Sequence, residues 1–204
     1  MKRPGKIVCV GRNYREHAQE LGHEVPREPL IFLKPPSSVI ASGEAIVLPR
    51  VSRQVEYEGE IGIVVASRLR RASEGEARAA VGGVSAVNDV TARDLQLSDG
   101  QWTRAKGFDS FCPVSDPVTL QGPLEALEVV TRVNGAERQR GSASQMVFSI
   151  PQLLAYISEV MTLEAGDLVA TGTPAGVGAL TPGDEVEVEI VGHAVIRNPV
   201  IADA

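Results

Sequence analysis

Short apolar or alternating segments separated by glycine- and proline-containing turns set the strongest limit on how this chain folds. Apolar runs lie at residues 7–10, 30–33, 46–48, 168–171 and 194–196, and residues 185–191 alternate glutamate with apolar residues. Apolar segments of such length, bounded by turn residues, are typical of β-strands joined by turns. The pattern therefore predicts about ten short strands rather than a few long helices.

Local signals add one hairpin and three or four short helices. Asn134-Gly135 directly follows the apolar residues 129–133, as in a tight β-hairpin. Ser73 and Glu76 have the spacing of a helix capping box. The predicted helices cover residues 14–21, residues 74–81 and a segment that begins at Ile150-Pro151. We therefore predict a single β-rich α+β domain over residues 1–204.

Composition and charge narrow the function classes. The chain is 43% hydrophobic and 23% charged, as expected of a packed globular protein. Its net charge of −6 argues against nucleic acid as a partner, and the basic run at residues 68–71 precedes a helix start, which indicates a solvated turn. The basic N-terminus leads into only four apolar residues, so we expect no signal peptide, no membrane span and a cytoplasmic location. Cys9 and Cys112 are expected to be buried, reduced thiols.

Three glutamates alternate along residues 55–65, which we predict to form one long strand. Because side chains alternate across a strand, Glu56, Glu58 and Glu60 would share one face about 7 Å apart. At that spacing their repulsion is unfavourable by roughly 2 kcal/mol per pair at a dielectric constant near 20. Either an exposed face is screened by water with Arg50 or Arg53, or a divalent cation binds the carboxylates.

Residues beyond the glutamates favour the cation. The strongly apolar residues 61–65 indicate that the strand enters the core, where a carboxylate requires a partner. Asp89 follows another apolar run, at residues 84–87. Two glutamates and an aspartate, with no cysteine or histidine beside them, make an oxygen-donor site suited to Mg²⁺ or Mn²⁺ rather than zinc.

Six motifs occur together and span nearly the whole chain. They are Gly11-Arg12-Asn13-Tyr14 with His17 and Glu20; Phe32-Leu33-Lys34-Pro35; Tyr57-Glu58-Gly59-Glu60; residues 89–96 beginning Asp89-Val90-Thr91; Trp102-Thr103-Arg104-Ala105-Lys106; and residues 171–178. In this order the set resembles the fumarylacetoacetate hydrolase family, in particular its small acylpyruvase and oxaloacetate decarboxylase members. The resemblance implies that family's β-rich fold of mixed sheets, of roll or sandwich type, and a homodimer.

The resemblance also implies roles for individual residues. Mg²⁺ or Mn²⁺ would be held by Glu58, Glu60 and Asp89, with Glu56 left outside the ligand set. Residues 14–29 would form a lid, because residues 22–29 have few apolar anchors and several helix breakers. The remaining implied site residues are His17 and Glu20 as a water-activating dyad, Lys106 facing the substrate, and Arg93, Gln96 and Thr173 as substrate contacts.

Several of these residues have a plainer interpretation. His17 alone would be an ordinary surface histidine, and Lys106 an ordinary surface lysine. Residues 171–178 form either a glycine-supported turn or a cradle of backbone amides for a carboxylate, but they lack the Lys-Ser/Thr ending of a nucleotide P-loop. No role is expected for His23 or His193.

The expected chemistry concerns small 2-oxo or 2-hydroxy diacids. A 2-oxo acid chelates a cation through its carboxylate and keto oxygens, and cleavage beside the carbonyl leaves an enolate that the metal and Lys106 can stabilise. Acylpyruvate C–C hydrolysis or oxaloacetate decarboxylation is the first hypothesis. The second is an isomerase or decarboxylase of aromatic catabolism, acting on substrates such as 2-hydroxyhepta-2,4-diene-1,7-dioate or 5-oxopent-3-ene-1,2,5-tricarboxylate. The third is a non-catalytic protein that binds a dicarboxylate or a cation.

Overall fold

The computed structural model describes residues 3–22 and 24–203. Within them the strands are β1 Ile7–Gly11, β2 Leu30–Lys34, β3 Val39–Ile40, β4 Ile46–Leu48, β5 Val55–Tyr57, β6 Gly59–Val65, β7 Val81–Asn88, β8 Thr91–Ala92, β9 Cys112–Pro113, β10 Glu128–Val133, β11 Ala136–Ser142, β12 Leu168–Ala170, β13 Gly178–Ala179, β14 Glu185–Ile190 and β15 Ala194–Ala202. The α-helices are α1 Arg15–Glu20, α2 Glu74–Ala79, α3 Arg93–Asp99, α4 Thr103–Lys106 and α5 Ile150–Val160. Three 3₁₀ turns cover Pro36–Ser38, Leu124–Ala126 and Ala143–Gln145.

A mixed five-stranded sheet in the order β2-β1-β12-β6-β7 positions the acidic motif. Strand β1 pairs parallel with β12, and the other neighbours pair antiparallel. Its inner strand β1 is apolar on both faces because both are covered: the adjacent residues Ile7 and Val8, which point to opposite faces, are fully buried. One end of the sheet collects the ends of β1, β12 and β7 and the start of β6, where the polar motifs lie.

A second five-stranded sheet has the order β11-β10-β14-β15-β4. Strands β10 and β11 form the predicted hairpin, and Asn134 and Gly135 at its turn have φ angles of 53° and 78°. Positive φ at both central positions is the geometry that favours Asn-Gly in a two-residue hairpin. Two smaller sheets, β13-β5-β8 and β3-β9, complete the structure.

The two large sheets and α5 enclose one main apolar core. Leu153, Leu154 and Ile157 of α5 are fully buried in it. This follows from their helical spacing, which places all three on one face of the helix. Among the described residues the longest helix has eleven residues, and none has the length and hydropathy needed to cross a bilayer.

The predicted fold class, a β-rich α+β structure of mixed sheets with a few short helices, is confirmed. The capping box is also confirmed: Ser73 accepts from the Glu76 N–H, while the Glu76 carboxylate accepts from the Ser73 N–H. The predicted single strand over residues 55–65 is wrong, because pairing stops at Glu58 and separates β5 from β6. The strand number is also higher than predicted, since strands of two residues carry no detectable alternation.

Candidate metal centre

The interruption at Glu58 is built by the end of the neighbouring strand β7. The Glu58 N–H donates to the side-chain oxygen of Asn88 at 2.9 Å, and the Glu58 carbonyl accepts from the Asp89 N–H at 2.8 Å. Thr91 in turn donates its hydroxyl to the Asp89 carbonyl at 2.8 Å. These bonds connect the backbones of Glu58 and Asp89 at the point where the two segments leave the sheet.

Glu58, Glu60 and Asp89 converge in the interior. One carboxylate oxygen of each lies within 4.8 Å of the others. Their side chains are nearly inaccessible, with exposed fractions of 4%, 1% and 1% for the three residues. The alternative of an exposed face screened by solvent is therefore wrong. Glu56 is buried too, but it accepts hydrogen bonds from Arg93 and Gln54 and is outside this group of three.

Three buried cationic side chains contact the carboxylates. The Lys106 ammonium donates to Glu58 and to Asp89, both at 2.7 Å. The Lys34 ammonium donates to the other Asp89 oxygen at 2.6 Å. The Arg93 guanidinium bridges Glu56 and Glu58, donating through Nε to Glu56 and through Nη2 to Glu58.

The charges of this cluster do not balance. In the part of the chain that the structure describes, four buried carboxylates meet three buried cations, and none of the ion pairs involves Glu60. The Glu60 carboxylate accepts instead from the Gly172 N–H at 2.8 Å. Burial, reinforced by the charges of Asp89 and Glu58, raises the pKa of Glu60 well above its usual value.

These properties fit a hard divalent cation. Burial alone would raise the pKa of Glu58, but Lys106 and Arg93 outweigh it and hold that pKa below its usual range, so Glu58 is ionised. Three carboxyl groups, of which Glu60 has no cationic partner among the described residues, offer the oxygen donors that Mg²⁺ and Mn²⁺ prefer. No cysteine or histidine belongs to the converging group. The residues present therefore suit Mg²⁺ or Mn²⁺ better than zinc.

The predicted dyad lies beside these carboxylates. His17 Nδ1 is 3.3 Å from Glu20 Oε2, across one turn of α1. His17 is buried, and it lines the same cavity as the three carboxylates. The Glu20 carboxylate also accepts from the Gly176 N–H at 3.0 Å. The plain interpretation of His17 as a surface histidine is thus wrong.

A cavity of about 270 Å³ opens over the acidic group. It is lined by all three converging carboxylates and by His17, Lys106, Arg93, Gln96 and Thr173. Lys106 is buried, so it is not an ordinary surface lysine. The structure therefore brings every predicted site residue except Glu20 to this cavity, and Glu20 reaches it through His17.

The three predicted substrate contacts differ in how many of their hydrogen-bonding groups are already used by other protein residues. Arg93 is largely engaged by Glu56, Glu58 and Gln96. Gln96 accepts from Arg93 through its carbonyl oxygen, so its amide nitrogen keeps both of its N–H donors. Thr173 donates its hydroxyl proton to the Gly59 carbonyl at 2.9 Å and accepts from Gln139 at 2.7 Å. Its hydroxyl has no second proton to donate.

The loop of residues 171–178 cradles carboxylates of the protein itself. The Gly172 N–H donates to Glu60, and the Gly176 N–H donates to Glu20. Gly172 and Gly176 have φ angles of 102° and 99°, and a Cβ at Gly176 would lie 2.2 Å from the Arg138 carbonyl oxygen. Glycine is therefore required at both positions. The loop links the acidic group to the dyad.

Sequence reasoning missed the role of Lys34. Its ammonium is fully buried and pairs with Asp89, although no function was predicted for it. A lysine at the end of the apolar strand β2, directly before Pro35, was the available signal, since buried lysines are rare unless paired. Arg12, which lines the cavity, was missed because nothing in its own motif distinguishes it from a surface arginine.

The structure also places one histidine and the two cysteines that have no predicted catalytic role. His193 is hydrogen-bonded to the backbone of Gln121 and Val191 and is outside the converging acidic group. Cys9 and Cys112 are free and buried, as predicted. His23, which falls inside the predicted lid, lies outside the described residues.

Comparison with known proteins gives one family. The model of the fumarylacetoacetate (FAA) hydrolase C-terminal region matches residues 6–201. Among curated proteins, an oxaloacetate decarboxylase, mitochondrial, from Dictyostelium discoideum is 43% identical over 194 residues, which cover 92% of this chain and 89% of the relative.

Two solved structures have nearly the same fold. A 5-carboxymethyl-2-hydroxymuconate delta-isomerase from Mycobacterium smegmatis superposes with a TM-score of 0.92 at 39% identity, over 99% of this chain and 80% of that one. A fumarylpyruvate hydrolase from Pseudomonas aeruginosa, in complex with Mn²⁺ and pyruvate, has a TM-score of 0.92 at 31% identity, over 98% and 91% of the two chains. The similar proteins thus differ in the reaction for which they are named.

Proposed function

This chain belongs to the fumarylacetoacetate hydrolase family, and from that premise we propose that it is a divalent-metal-dependent enzyme that hydrolyses a C–C bond of small acylpyruvates. The observation that carries the proposal is the His17–Glu20 dyad, whose histidine lines the same cavity as Glu58, Glu60 and Asp89. A protein that only binds a dicarboxylate or a cation has no use for a water-activating pair. The non-catalytic hypothesis therefore explains less of the site.

Glu58, Glu60 and Asp89 would hold Mg²⁺ or Mn²⁺. Such an ion, when bound, supplies Lewis acidity toward the oxygens of a 2-oxo acid. The similar fumarylpyruvate hydrolase in complex with Mn²⁺ and pyruvate supports both the ion and the ligand class. Lys34 donates a hydrogen bond to Asp89, and Arg93 donates one to Glu58. Such bonds fix the orientation of metal-binding carboxylates.

His17 is the proposed general base. When Nδ1–H donates to the Glu20 carboxylate, Nε2 carries a lone pair and can take a proton from a water molecule. The Gly176 N–H, bound to the same carboxylate, fixes the orientation of Glu20. His17 lines the cavity, so a water molecule held there beside the substrate is within its reach in this proposal.

Lys106 is the proposed group that stabilises negative charge on the substrate. An ammonium has three N–H donors, and Glu58 and Asp89 take two of them. The third is available for an enolate or carboxylate oxygen. Gln96 would contact the substrate through its amide nitrogen, and Thr173 through its backbone N–H, since its hydroxyl proton is already donated to Gly59.

Oxaloacetate decarboxylation is the second candidate. The observation that favours it is the 43% identity to the oxaloacetate decarboxylase of Dictyostelium discoideum, over nearly the whole chain. That reaction needs the cation and Lys106, but no activated water. The isomerase reaction named for the Mycobacterium smegmatis protein uses the same substrate class, so only the pocket distinguishes it.

A turnover screen with Mg²⁺ or Mn²⁺ tests the proposal. The panel contains acetylpyruvate, fumarylpyruvate, oxaloacetate and 2-hydroxyhepta-2,4-diene-1,7-dioate, with EDTA-treated protein as the blank. We expect metal-dependent cleavage of the acylpyruvates. His17→Ala should lower their kcat by about 10²- to 10⁴-fold, the usual contribution of a general base, and should lower decarboxylation less.

The exposed residue Glu16, which is adjacent to His17 on α1, provides the control. Glu16→Gln should leave all activities unchanged. Equal losses of hydrolysis and decarboxylation in His17→Ala would remove the water-activating role. No turnover of any 2-oxo acid, together with tight oxalate binding, would support the non-catalytic hypothesis instead.

A further inference from the structure

Arg12 occupies a strained backbone position at the rim of the cavity. Its φ angle is +58°, in the left-handed region that side chains other than glycine rarely adopt. The adjacent Asn13 is fully buried, and its side chain bonds to the Thr171 carbonyl and to both backbone groups of Phe148. These three bonds hold the turn, so the position of Arg12 is determined by the core and not by solvent.

The guanidinium of Arg12 lies beside an aromatic ring. Its Cζ is 6.0 Å from the centroid of Trp102, at the limit of a cation–π contact. A Cβ on Gly11 would lie 2.8 Å from the same indole, so the turn fits closely against it. Phe32 packs edge-on against Trp102 at 5.2 Å between ring centroids. Trp102, itself packed against Phe32, therefore limits where the Arg12 side chain can lie.

Arg12 has no carboxylate partner within residues 3–22 and 24–203. Arg93 and Lys106, the other lysine and arginine side chains that line the cavity, are each bound to two carboxylates. None of the ion pairs among the described residues includes Arg12. Partial burial lowers the pKa of its guanidinium, with no neighbouring charge acting against that effect.

The lining of the cavity is chemically mixed. It contains Glu58, Glu60 and Asp89, the guanidinium of Arg12, unpaired among the described residues, and apolar side chains, namely Leu21, Leu97, Phe32 and Trp102. Leu97 is 73% exposed, an unusual value for a leucine on a ligand-sized cavity. A cavity that offers the Arg12 guanidinium, a metal-binding group and apolar surface matches a ligand with a carboxylate at each end of a short carbon chain.

We propose that Arg12 binds the distal carboxylate of a dicarboxylic 2-oxo acid and so makes this enzyme selective for diacids over monoacids. The inference rests on the proposed function, in which the 2-oxo carboxylate end of the substrate meets the cation. A guanidinium matches a carboxylate with two parallel N–H donors, which a lysine does not. The backbone strain at Arg12 is then the consequence of placing this fork over the cavity.

Equilibrium binding of matched ligands tests the proposal without turnover. Calorimetry on the full chain with Mg²⁺ compares 2-oxoglutarate with 2-oxopentanoate and 2-oxoadipate with 2-oxohexanoate. The members of each pair differ only in a terminal carboxylate against a methyl group. We expect the diacid of at least one pair to bind about tenfold or more tightly to the wild-type protein, as a charge-assisted hydrogen-bonded pair provides.

Arg12→Gln should abolish this preference while weakening the monoacid much less. Arg12→Asn is the second variant, because asparagine adopts positive φ more readily and so tolerates the turn. Arg15→Gln removes an exposed positive charge that does not line the cavity, and it should keep the wild-type preference.

In turnover, Arg12→Gln should raise KM for fumarylpyruvate about tenfold with little change in kcat, since the contact is made equally before and during reaction.

Two results would overturn the inference: no diacid preference in the wild-type protein, or a preference that Arg12→Gln and Arg12→Asn both retain. A merely structural role for Arg12 would weaken the diacid and the monoacid equally, which also contradicts it. Failure of the proposed function is a different result, namely no turnover of any 2-oxo acid. The binding comparison does not depend on turnover and separates the two cases.

Discussion

At the scale of single residues, the carboxylate of Asp89 is shared by two buried ammonium groups. Lys34 binds Oδ1 at 2.6 Å and Lys106 binds Oδ2 at 2.7 Å. Lys106 lines the cavity, whereas Lys34 is not among its lining residues. Lys34 therefore acts through Asp89: it fixes the carboxylate and offsets part of its negative charge inside the protein.

We predict that Lys34→Met weakens Mn²⁺ binding by about 10- to 100-fold, the usual effect of losing an outer partner of a metal ligand. Isothermal titration with Mn²⁺ measures it. Lys6→Met is the matched control, because Lys6 pairs with Asp167 and does not line the cavity. Unchanged Mn²⁺ affinity in Lys34→Met would show that Asp89 keeps its position without this lysine.

A second residue-scale prediction concerns alkaline pH. Burial raises the pKa of the Cys112 thiol from 9.0 to about 12. The folded protein therefore keeps a proton that the unfolded chain releases above pH 9.0, so stability is complete below that pH and falls as pH rises toward about 12. Relative to Cys112→Ala, the wild-type protein should lose about 2 kcal/mol of unfolding free energy between about pH 8 and about pH 10.5.

Urea unfolding of both proteins at the two pH values checks this difference. The volume lost in Cys112→Ala lowers stability equally at both pH values, so it cancels in the comparison. Parallel losses in the two proteins would mean that the Cys112 thiol ionises in the folded state as easily as in the unfolded chain.

At the scale of elements, α1 has six residues and depends on contacts with other parts of the chain. A helix of that length is not stable alone in water. It is held by burial of His17 and Ala18 and by the bond from the Gly176 N–H to Glu20. These contacts are few, which supports the proposal that residues 14–29 act as a lid over the cavity.

We predict that backbone amides of residues 15–22 exchange rapidly in the free protein and are protected when oxalate and Mg²⁺ are added. Hydrogen exchange followed by mass spectrometry measures the protection. Helix α5, whose buried face belongs to the main core, serves as the internal reference and should not change. Equal protection of residues 15–22 in both states would contradict the lid.

The elements also show how far sequence reasoning reaches. Ser73 with Glu76, and Asn134-Gly135, are local signals, and both gave the observed structure because neighbouring residues alone determine it. The break at Glu58 depends on Asn88 and Asp89 from another strand, which no local pattern contains. The same holds for α3 and α4, which were not predicted and which carry Arg93, Gln96 and Lys106 to the cavity.

Among the site residues, too, local sequence patterns predicted some positions, whereas contacts between distant segments determined others. Alternation placed Glu56, Glu58 and Glu60 on one strand face, and Asp89 after another apolar run suggested a shared cation, because buried carboxylates require a partner. The register that excludes Glu56 came from the family resemblance, and in the structure Glu56 lies outside the converging group, bound by Gln54 and Arg93. Lys34 and Arg12 were missed, since their importance depends on what lies opposite them in the folded chain.

At the scale of the whole molecule, we predict a homodimer. The resemblance to the family implies it, and edge strand β2 exposes Leu30 and Leu33, an arrangement that favours contact with another chain. Size-exclusion chromatography with light scattering should give twice the 21.6 kDa mass of one chain. The mass of a single chain over a wide concentration range would contradict the prediction.

The central claim is that Glu58, Glu60 and Asp89 hold one divalent cation, and titration of Mn²⁺ into three proteins tests it most directly. The account predicts one ion per wild-type chain, a loss of affinity in Glu58→Gln larger than the roughly 100-fold effect of an outer partner, and about a tenfold loss in Glu56→Gln, which acts only through Arg93. Circular dichroism confirms that each variant is folded. Absence of Mn²⁺ binding by the wild-type protein, or equal losses in Glu58→Gln and Glu56→Gln, would contradict it.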